Sequence, residues 1–115
     1  MSARSAKAKG RRLQNFVRDM IRDAFPKLEA DDIKSQTMGM TGQDIVLSPI
    51  AKKSIPYAIE CKNVEKIRIW SAIDQAKKNI ENNETPTIVF KRNGVEPWVA
   101  IPFDHWLDLI MENIE

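Results

Sequence analysis

The chain has 115 residues, of which 43% are hydrophobic and 30% are charged, with a formal net charge of +2. Its length fits one domain, and no stretch approaches the ~18 consecutive apolar residues of a membrane span or forms a signal-peptide core. Because Cys61 is the only cysteine, an intrachain disulfide and a cysteine-based zinc site are excluded. We therefore expect a soluble, cytoplasmic protein without a membrane partner.

The charge is unevenly distributed along the chain. Six basic residues precede the first acid, Asp19, namely Arg4, Lys7, Lys9, Arg11, Arg12 and Arg18. The rest of the chain then holds twelve basic and sixteen acidic residues, a net charge of −4. A basic segment on an acidic body is typical of a protein that binds a polyanion such as nucleic acid. The alternative is a solvated tail that only aids solubility.

The basic segment leads into an amphipathic helix. Residues 1–8 are predicted to form a flexible arm, and apolar side chains then recur at helical spacing, at Leu13, Phe16, Val17, Met20, Ile21 and Ala24. Pro26 ends this helix near Phe25, because proline disfavours the helical conformation of the residue before it. A second stripe of the same helix is polar and could face a phosphate backbone; it comprises Arg11, Gln14, Arg18 and Arg22.

Three short strands are predicted next. Residues 33–37 and 44–47 pair through a turn, and residues 57–62 form the third strand after a loop. This loop holds Lys52 and Lys53, which are candidates for a DNA contact, although two lysines in a loop are usually only solvated.

The third strand carries an acid and a lysine on one face. Successive side chains of a strand point to opposite faces, so Glu60 and Lys62 share one face while Ile59 and Cys61 share the other. Cys61 is therefore interpreted as a small buried hydrophobic residue rather than a catalytic thiol. Asp44 and Glu60 could hold a divalent metal, because carboxylates are hard oxygen ligands. A lysine beside them could orient an attacking water or neutralise charge on a phosphate.

The second half of the chain predicts a helix, two strands and a last helix. The first of these helices spans about residues 67–82 and presents Gln75 on its polar side. Residues 87–91 form a strand rich in β-branched side chains, and the Asn93-Gly94 turn returns the chain through a strand over residues 98–101.

The last helix is predicted to start near Asp104, a good N-cap. Its apolar stripe comprises Phe103, Trp106, Leu107, Ile110, Met111 and Ile114. Its other side is acidic and should face away from DNA; it comprises Asp104, Asp108, Glu112 and Glu115. His105, the only histidine, is interpreted as structural or exposed. The chain has no glycine-rich phosphate loop, so no nucleotide cofactor is expected.

The predicted order of elements is αβββαββα, in one α/β domain over residues 9–115. Three early strands joined by short turns make an antiparallel meander. The helix over residues 67–82 then crosses over to a strand that can lie parallel to the centre of the sheet.

The acids and the lysine also follow a known pattern. Asp44, fifteen intervening residues and Glu60-Cys61-Lys62 resemble the motif of the PD-(D/E)XK nuclease superfamily, especially its small phage-encoded and Holliday-junction-resolvase-like members. Further matching features are Gly42-Gln43 before Asp44, Asn63 after Lys62, and Gln75. The resemblance spans residues 9–101. It implies a restriction-endonuclease-like sandwich with a central mixed sheet of about five strands flanked by helices.

The resemblance further implies a Mg²⁺-dependent endonuclease that hydrolyses phosphodiester bonds in DNA, especially in branched DNA such as Holliday junctions. Mn²⁺ should substitute for Mg²⁺. A homodimer is implied, in the host cytoplasm if a phage encodes the protein. Asp44 and Glu60 would bind the metal together with a backbone carbonyl near Cys61. Lys62 would activate or position water, and Gln75 would steady the water or the scissile phosphate. The residues expected to contact nucleic acid are Lys7, Lys9, Arg11, Arg12, Gln14, Arg18, Lys52 and Lys53.

One position departs from the family pattern. The first helix of related nucleases often supplies an additional acid, and the matching position here is Gln14, which weakens a two-metal mechanism. Two other function classes remain open. A catalytically inactive DNA- or RNA-binding protein on the same fold would show no metal-dependent cleavage. A structural or protein-interaction module would show no salt-dependent affinity for nucleic acid.

Overall fold

A long helix at the start of the chain packs against the strands. The computed structural model describes residues 2–113, and helix α1 occupies Ala3–Ala24. Its first turn is capped by Ser2, whose hydroxyl oxygen accepts a hydrogen bond from the backbone N–H of Ser5 (3.1 Å). The sequence predicts a flexible arm over residues 1–8; in the structure the chain is helical from Ala3, where this cap and nearby alanines favour the helix.

The other elements follow the predicted order with two short additions. They are a 3₁₀ helix (Ala30–Asp32), strands β1 (Ile33–Ser35) and β2 (Ile45–Leu47), helix α2 (Pro49–Ser54), strand β3 (Tyr57–Asn63), helix α3 (Ile69–Lys78), strands β4 (Thr85–Lys91) and β5 (Trp98–Ala100), and helix α4 (Phe103–Glu112). The additions are the 3₁₀ helix and α2. The predictions made for Met1, Ile114 and Glu115 lie outside the described residues.

Helix α2 takes the place of the loop predicted between the second and third strands. Ser48 caps it by accepting a hydrogen bond from the N–H of Ala51 (3.2 Å). Pro49 occupies the first helical position, where its missing N–H would have no partner in any case. As a result β2 and β3 are not joined by a short turn, and the predicted three-stranded meander is limited to the antiparallel β1–β2 pair.

The strands form two sheets instead of the predicted central sheet of about five strands. One sheet is β1–β2; the other is β3–β4–β5, with β3 parallel to β4 and β4 antiparallel to β5. The N–H of Asp44 donates to the carbonyl of Ile59 (3.0 Å) and so links the two sheets. The N–H of Cys61 donates to the Asp44 carboxylate (2.7 Å), so a side chain replaces a strand carbonyl and the pairing ends. The α/β class is confirmed, and the single five-stranded sheet is wrong.

The predicted parallel crossover and hairpin are both present in the second half of the chain. Helix α3 carries the chain from β3 to its parallel neighbour β4. The connection from β4 to β5 contains Gly94 in the left-handed region (φ 73°), a conformation that glycine adopts without steric cost. This connection covers residues 92–97, so it is longer than a two-residue turn.

Two helices pack against opposite faces of β3. Helix α1 packs against β1, β2 and β3, and the buried cluster there comprises Leu13, Val17, Ile33, Ile45, Leu47, Ala51, Ile55, Ile59 and Cys61. Helix α3 packs against β3 and β4, where a smaller cluster comprises Ala72, Ala76 and Ile88. Because side chains alternate along β3, Glu60 and Lys62 lie on the α3 side.

Helix α4 contacts the rest of the protein only lightly. Over its described range, Phe103–Glu112, no residue is buried. His105 forms a hydrogen bond with the hydroxyl of Tyr57 (2.6 Å), and the two rings meet edge to face. The apolar stripe of α4 is exposed, at Phe103, Trp106, Leu107, Ile110 and Met111. No helix among residues 2–113 has the length and apolar character needed to cross a bilayer.

Candidate functional site

The predicted acids converge near the middle of β3. Glu60 is 1% exposed. Asp44, just before β2, contacts β3 on both sides of Glu60: its N–H donates to Ile59 O (3.0 Å), and its carboxylate accepts the Cys61 N–H (2.7 Å). These contacts hold Asp44 beside Glu60, and the charge of Asp44 raises the pKa of Glu60. Two residues that are far apart in the sequence thus form one acidic pair.

The two side-chain oxygens of Glu60 have different surroundings. Oε1 accepts a hydrogen bond from Asn79 Nδ2 (2.7 Å). Oε2 is buried and has no hydrogen-bond partner among residues 2–113. A buried carboxylate oxygen without a donor destabilises the folded state unless a proton or a cation binds it. Oε2 therefore lacks the partner that a bound proton or cation would supply.

The electrostatic environment of Glu60 favours binding of a proton or a cation. Burial raises the pKa of Glu60 to about 7, and the charge of Asp44 and a hydrogen bond shared with it act in the same direction. The Asn79 amide and the Lys62 ammonium act in the opposite direction. Two adjacent carboxyl groups share a proton more readily than both ionise. A divalent cation can replace that proton, because its charge favours the ionised form of both groups.

Lys62 and Gln75 meet on the α3 side of β3. The Lys62 ammonium donates a hydrogen bond to Gln75 Oε1 (2.9 Å), which lies in the second turn of α3. Both side chains line a cleft of about 270 Å³ together with Lys66, Arg68 and Ser71. Within the part of the chain that the structure describes, Lys62 has no ion pair. Its ammonium can therefore interact with a phosphate that enters this cleft.

Cys61 has the role in packing that its position in the strand predicts. Its side chain is buried in the cluster under α1, on the face opposite Glu60 and Lys62. Burial, followed by the charges of Asp44 and Glu60, raises the pKa of the Cys61 thiol. The thiol is therefore neutral and unreactive near neutral pH. Only its backbone belongs to the site: the N–H binds Asp44, and a carbonyl near Cys61 remains the predicted third metal ligand.

The donor set fits a metal ion that prefers oxygen ligands. Among residues 2–113 no group of three or more His, Cys, Asp or Glu side chains could hold an ion. Mg²⁺ commonly takes only one or two carboxylates, and waters and substrate phosphate complete its octahedron. Asp44 and Glu60, with the unpartnered Oε2, therefore fit Mg²⁺ or Mn²⁺.

Gln14, which the resemblance matches to the position of a further acid, is buried on α1. Its side-chain oxygen accepts a hydrogen bond from Ser35 Oγ (3.3 Å). Ser35 in turn pairs across the sheet with Ile45, the neighbour of Asp44 in the sequence. Gln14 thus contacts β1 from α1 and adds no charge to the acidic pair.

Two of the basic residues predicted to contact nucleic acid form ion pairs with acids that are distant in the sequence. Lys9 is 5% exposed and pairs with Glu65 (3.3 Å). Lys52 pairs with Glu81 (2.6 Å) and Glu84 (3.4 Å). Their charges are therefore largely neutralised before any partner binds.

The other predicted basic residues are more accessible. Lys7, Arg11, Arg12 and Lys53 are exposed on α1 and α2. Arg18 is half-buried and contacts Asp19 (2.9 Å). Arg11 and Arg18 line one side of a cleft whose other side is formed by the β1 end and the following turn, at Ser35, Gln36, Thr37 and Met38. Arg11, together with Lys7 and Arg12, supplies exposed positive charge on α1.

Some residues around the site have no role that the sequence patterns predict. Asn79 binds Glu60, and Gln43 binds the Asn79 carbonyl (2.8 Å) and Glu84 (2.7 Å). A signal for Asn79 does exist: it lies four residues after Gln75, and that spacing puts both side chains on one face of a helix. Lys66 and Arg68, in the cleft beside Lys62, also have no predicted role. The same holds for Gln43 and Glu84.

Comparisons of the chain with protein families, with curated proteins and with solved structures found no match in any of the three. The resemblance to PD-(D/E)XK nucleases therefore rests on the motif residues. The function is therefore inferred from the chemistry of the site.

Proposed function

We propose that this chain is a Mg²⁺-dependent DNA endonuclease. The observation that carries the proposal is the Asp44–Glu60 pair, in which Glu60 is buried and its Oε2 has no hydrogen-bond partner among residues 2–113, with the ammonium of Lys62 on the same face of β3. Such a pair destabilises a metal-free fold, and apolar residues would pack there at lower cost, so a purely structural role does not account for it. The positions of α1 and α3 on two faces of β3 support the PD-(D/E)XK-like sandwich as part of the proposal.

Each site residue has a distinct task in this proposal. When bound, a divalent cation polarises the scissile phosphate and acidifies a coordinated water. Asp44 and Glu60 hold the cation. Lys62 positions the attacking water or neutralises charge that develops on the phosphate. Gln75 orients the Lys62 ammonium through their 2.9 Å hydrogen bond and can contact the water or phosphate itself.

The proposed substrate is branched DNA, cut by two copies of the chain. Cutting two strands of a junction in concert requires two sites, and one chain offers one. The tryptophans of the chain support an assembly, because Trp70, Trp98 and Trp106 are all exposed, at 76%, 59% and 49%. Tryptophan is enriched at protein interfaces, and α4 adds an exposed apolar side next to Trp106. We propose that a second copy covers the exposed apolar side of α4.

A catalytically inactive nucleic-acid-binding protein is the second candidate function. Gln14 favours it, because a neutral amide stands where related nucleases often have an acid. The exposed arginines of α1 would support phosphate binding in either case.

The deciding experiment is an incubation of the purified chain with Mg²⁺ or Mn²⁺ on four-way, flapped, single-stranded and linear duplex DNA. We expect metal-dependent cleavage of at least the branched substrates and none in EDTA. Salt-dependent binding without cleavage of any substrate would reject the nuclease and favour the inactive binding protein.

A further inference from the structure

Asn79 contacts both chain segments that carry the carboxylates. Its Nδ2 donates to Glu60 Oε1 (2.7 Å) and to the carbonyl of Gly42 (3.1 Å), two residues before Asp44. Its own carbonyl accepts a hydrogen bond from Gln43 Nε2 (2.8 Å). Three hydrogen bonds of one residue thus connect β3 to the turn that precedes β2.

The position of Asn79 is itself fixed by its surroundings. Asn79 ends α3, where its N–H donates to the carbonyl of Ala76 (3.2 Å). Its partner Gln43 is buried and also donates to Glu84 Oε1 (2.7 Å), an oxygen that accepts the Glu81 N–H (2.8 Å) as well. The helix end and this buried polar contact hold the Asn79 amide in place.

We propose that Asn79 is a positioning residue of the metal site, an inference that rests on the function proposed above. By binding Oε1, the amide leaves Oε2 as the Glu60 oxygen that has no hydrogen-bond partner among residues 2–113. By binding Gly42, it sets the distance between the segment of Asp44 and that of Glu60. A neutral amide does this without competing for the cation, as a carboxylate would, and without repelling it, as a lysine would.

The test is direct binding of Mn²⁺ without DNA, measured by isothermal titration calorimetry on the full chain. Loss of an outer contact to a metal ligand typically weakens metal binding about 10–100-fold, and we expect this for Asn79→Ala. Asn83→Ala, at an exposed position of the same loop, is the matched control and should bind Mn²⁺ with about the wild-type affinity. Glu84→Gln perturbs the neighbouring polar contact but retains the Asn79 amide, so it serves as a stability comparator.

A melting temperature for each variant separates positioning from folding. Asn79→Ala should lose Mn²⁺ affinity well beyond Glu84→Gln, even where both lower the melting temperature equally. Unchanged affinity in Asn79→Ala, or losses in both variants that follow their melting temperatures, would overturn the inference. If Asn79→Ala does not fold, Asn79→Ser replaces it under the same criteria, because one hydroxyl cannot donate to both acceptors. Absence of Mn²⁺ binding and of cleavage in the wild type would reject the proposed function itself.

Discussion

Asp44 lies beside Glu60 because its backbone N–H donates to the carbonyl of Ile59 (3.0 Å), although fifteen residues separate Asp44 from Glu60 in the sequence. The Cys61 N–H, on the residue after Glu60, holds Asp44 in this position (2.7 Å). Burial and the charge of Asp44 raise the pKa of Glu60, so a cation that binds Glu60 must displace its proton wherever Glu60 is protonated. Metal affinity and protein stability should both change with pH as a result.

Without metal, the protein should lose stability as the pH rises from about 4.5 to about 7. The pKa of Glu60 is raised from 4.5 to about 7, so the folded state binds more protons than the unfolded state in this window. A pKa shift of this size corresponds to a loss of at most about 3 kcal/mol in the free energy of unfolding. This loss is absent below the pH window and complete above it. Urea denaturation in EDTA at pH 5 and pH 8 measures the loss.

Glu60→Gln is the control for this pH dependence, because its amide cannot ionise. It can still accept from Asn79 and can donate to Asp44, so the variant should be more stable than the wild type at pH 8 and similar at pH 5. Excess Mg²⁺ should stabilise the wild type at pH 8 and not the variant. An identical pH dependence in both proteins would contradict the assignment to Glu60.

Asp44→Asn should abolish cleavage while DNA binding persists. The substituted amide can still accept the Cys61 N–H, so the fold is retained, but it lacks the charge that metal binding needs. Gel-based cleavage and fluorescence anisotropy measure the two properties on one substrate. Asp74→Asn, an exposed acid on α3, should cleave as the wild type does. Metal-dependent cleavage by pure Asp44→Asn would reject the role of Asp44.

Local patterns predicted much of the fold. The strands around Glu60 and the helix carrying Gln75 follow from spacing and alternation, which depend on near neighbours in the chain. The six-residue helix α2 carries too few residues for periodicity, and only Ser48-Pro49 indicates it. The break between the sheets arises because the Asp44 side chain binds the Cys61 N–H, a long-range contact that propensity does not report.

The candidate site likewise combines residues that local patterns predict with residues that only long-range contacts place. Alternation put Glu60 and Lys62 on one face, and the motif spacing joined them to Asp44. Asn79 and Gln43 were missed because their roles depend on where α3 ends against the turn before β2. Helix ends are the part of an element that sequence patterns fix least well.

Lys62→Ala should slow cleavage more than it changes metal binding. Removal of a positioned cation from a developing negative charge typically lowers kcat about 10²–10³-fold. Mn²⁺ affinity should not fall, because the ammonium is a like charge near the cation. Gln75→Ala should have a smaller effect of about tenfold, through the lost hydrogen bond to Lys62. Single-turnover cleavage at saturating Mn²⁺ measures the rates of Lys62→Ala and Gln75→Ala. Lys78→Ala, on the same helix as Gln75, is the control. Equal losses of rate in Lys62→Ala and Lys78→Ala would argue against a role at the phosphate.

Arg11→Ala and Lys52→Ala should separate DNA contact from internal ion pairing. Arg11 is exposed on α1, so its loss should weaken DNA binding and reduce the slope of log affinity against log salt by about 0.9. Lys52 pairs with Glu81 and Glu84, so its loss should leave the slope unchanged and destabilise the fold by about 1–3 kcal/mol. Salt titrations of duplex binding and urea denaturation make the comparison. A reduced slope for Lys52→Ala alone would reverse the two assignments.

Trp106→Glu should convert a dimer into a monomer. The α4 helix has no buried residue over Phe103–Glu112, and a charge placed on its apolar side would have to be desolvated if a second copy covered it. Light scattering after gel filtration should give twice the chain mass of 13.2 kDa for the wild type and one chain mass for the variant. Asp108→Asn, on the acidic side of the same helix, should remain dimeric. The monomer should still nick one strand of a duplex or junction, because each site is complete within one chain. It should lose paired cleavage of a four-way junction, because the coordination of two sites needs the interface. A wild-type monomer that still cuts both strands of a junction in concert would refute the role of α4.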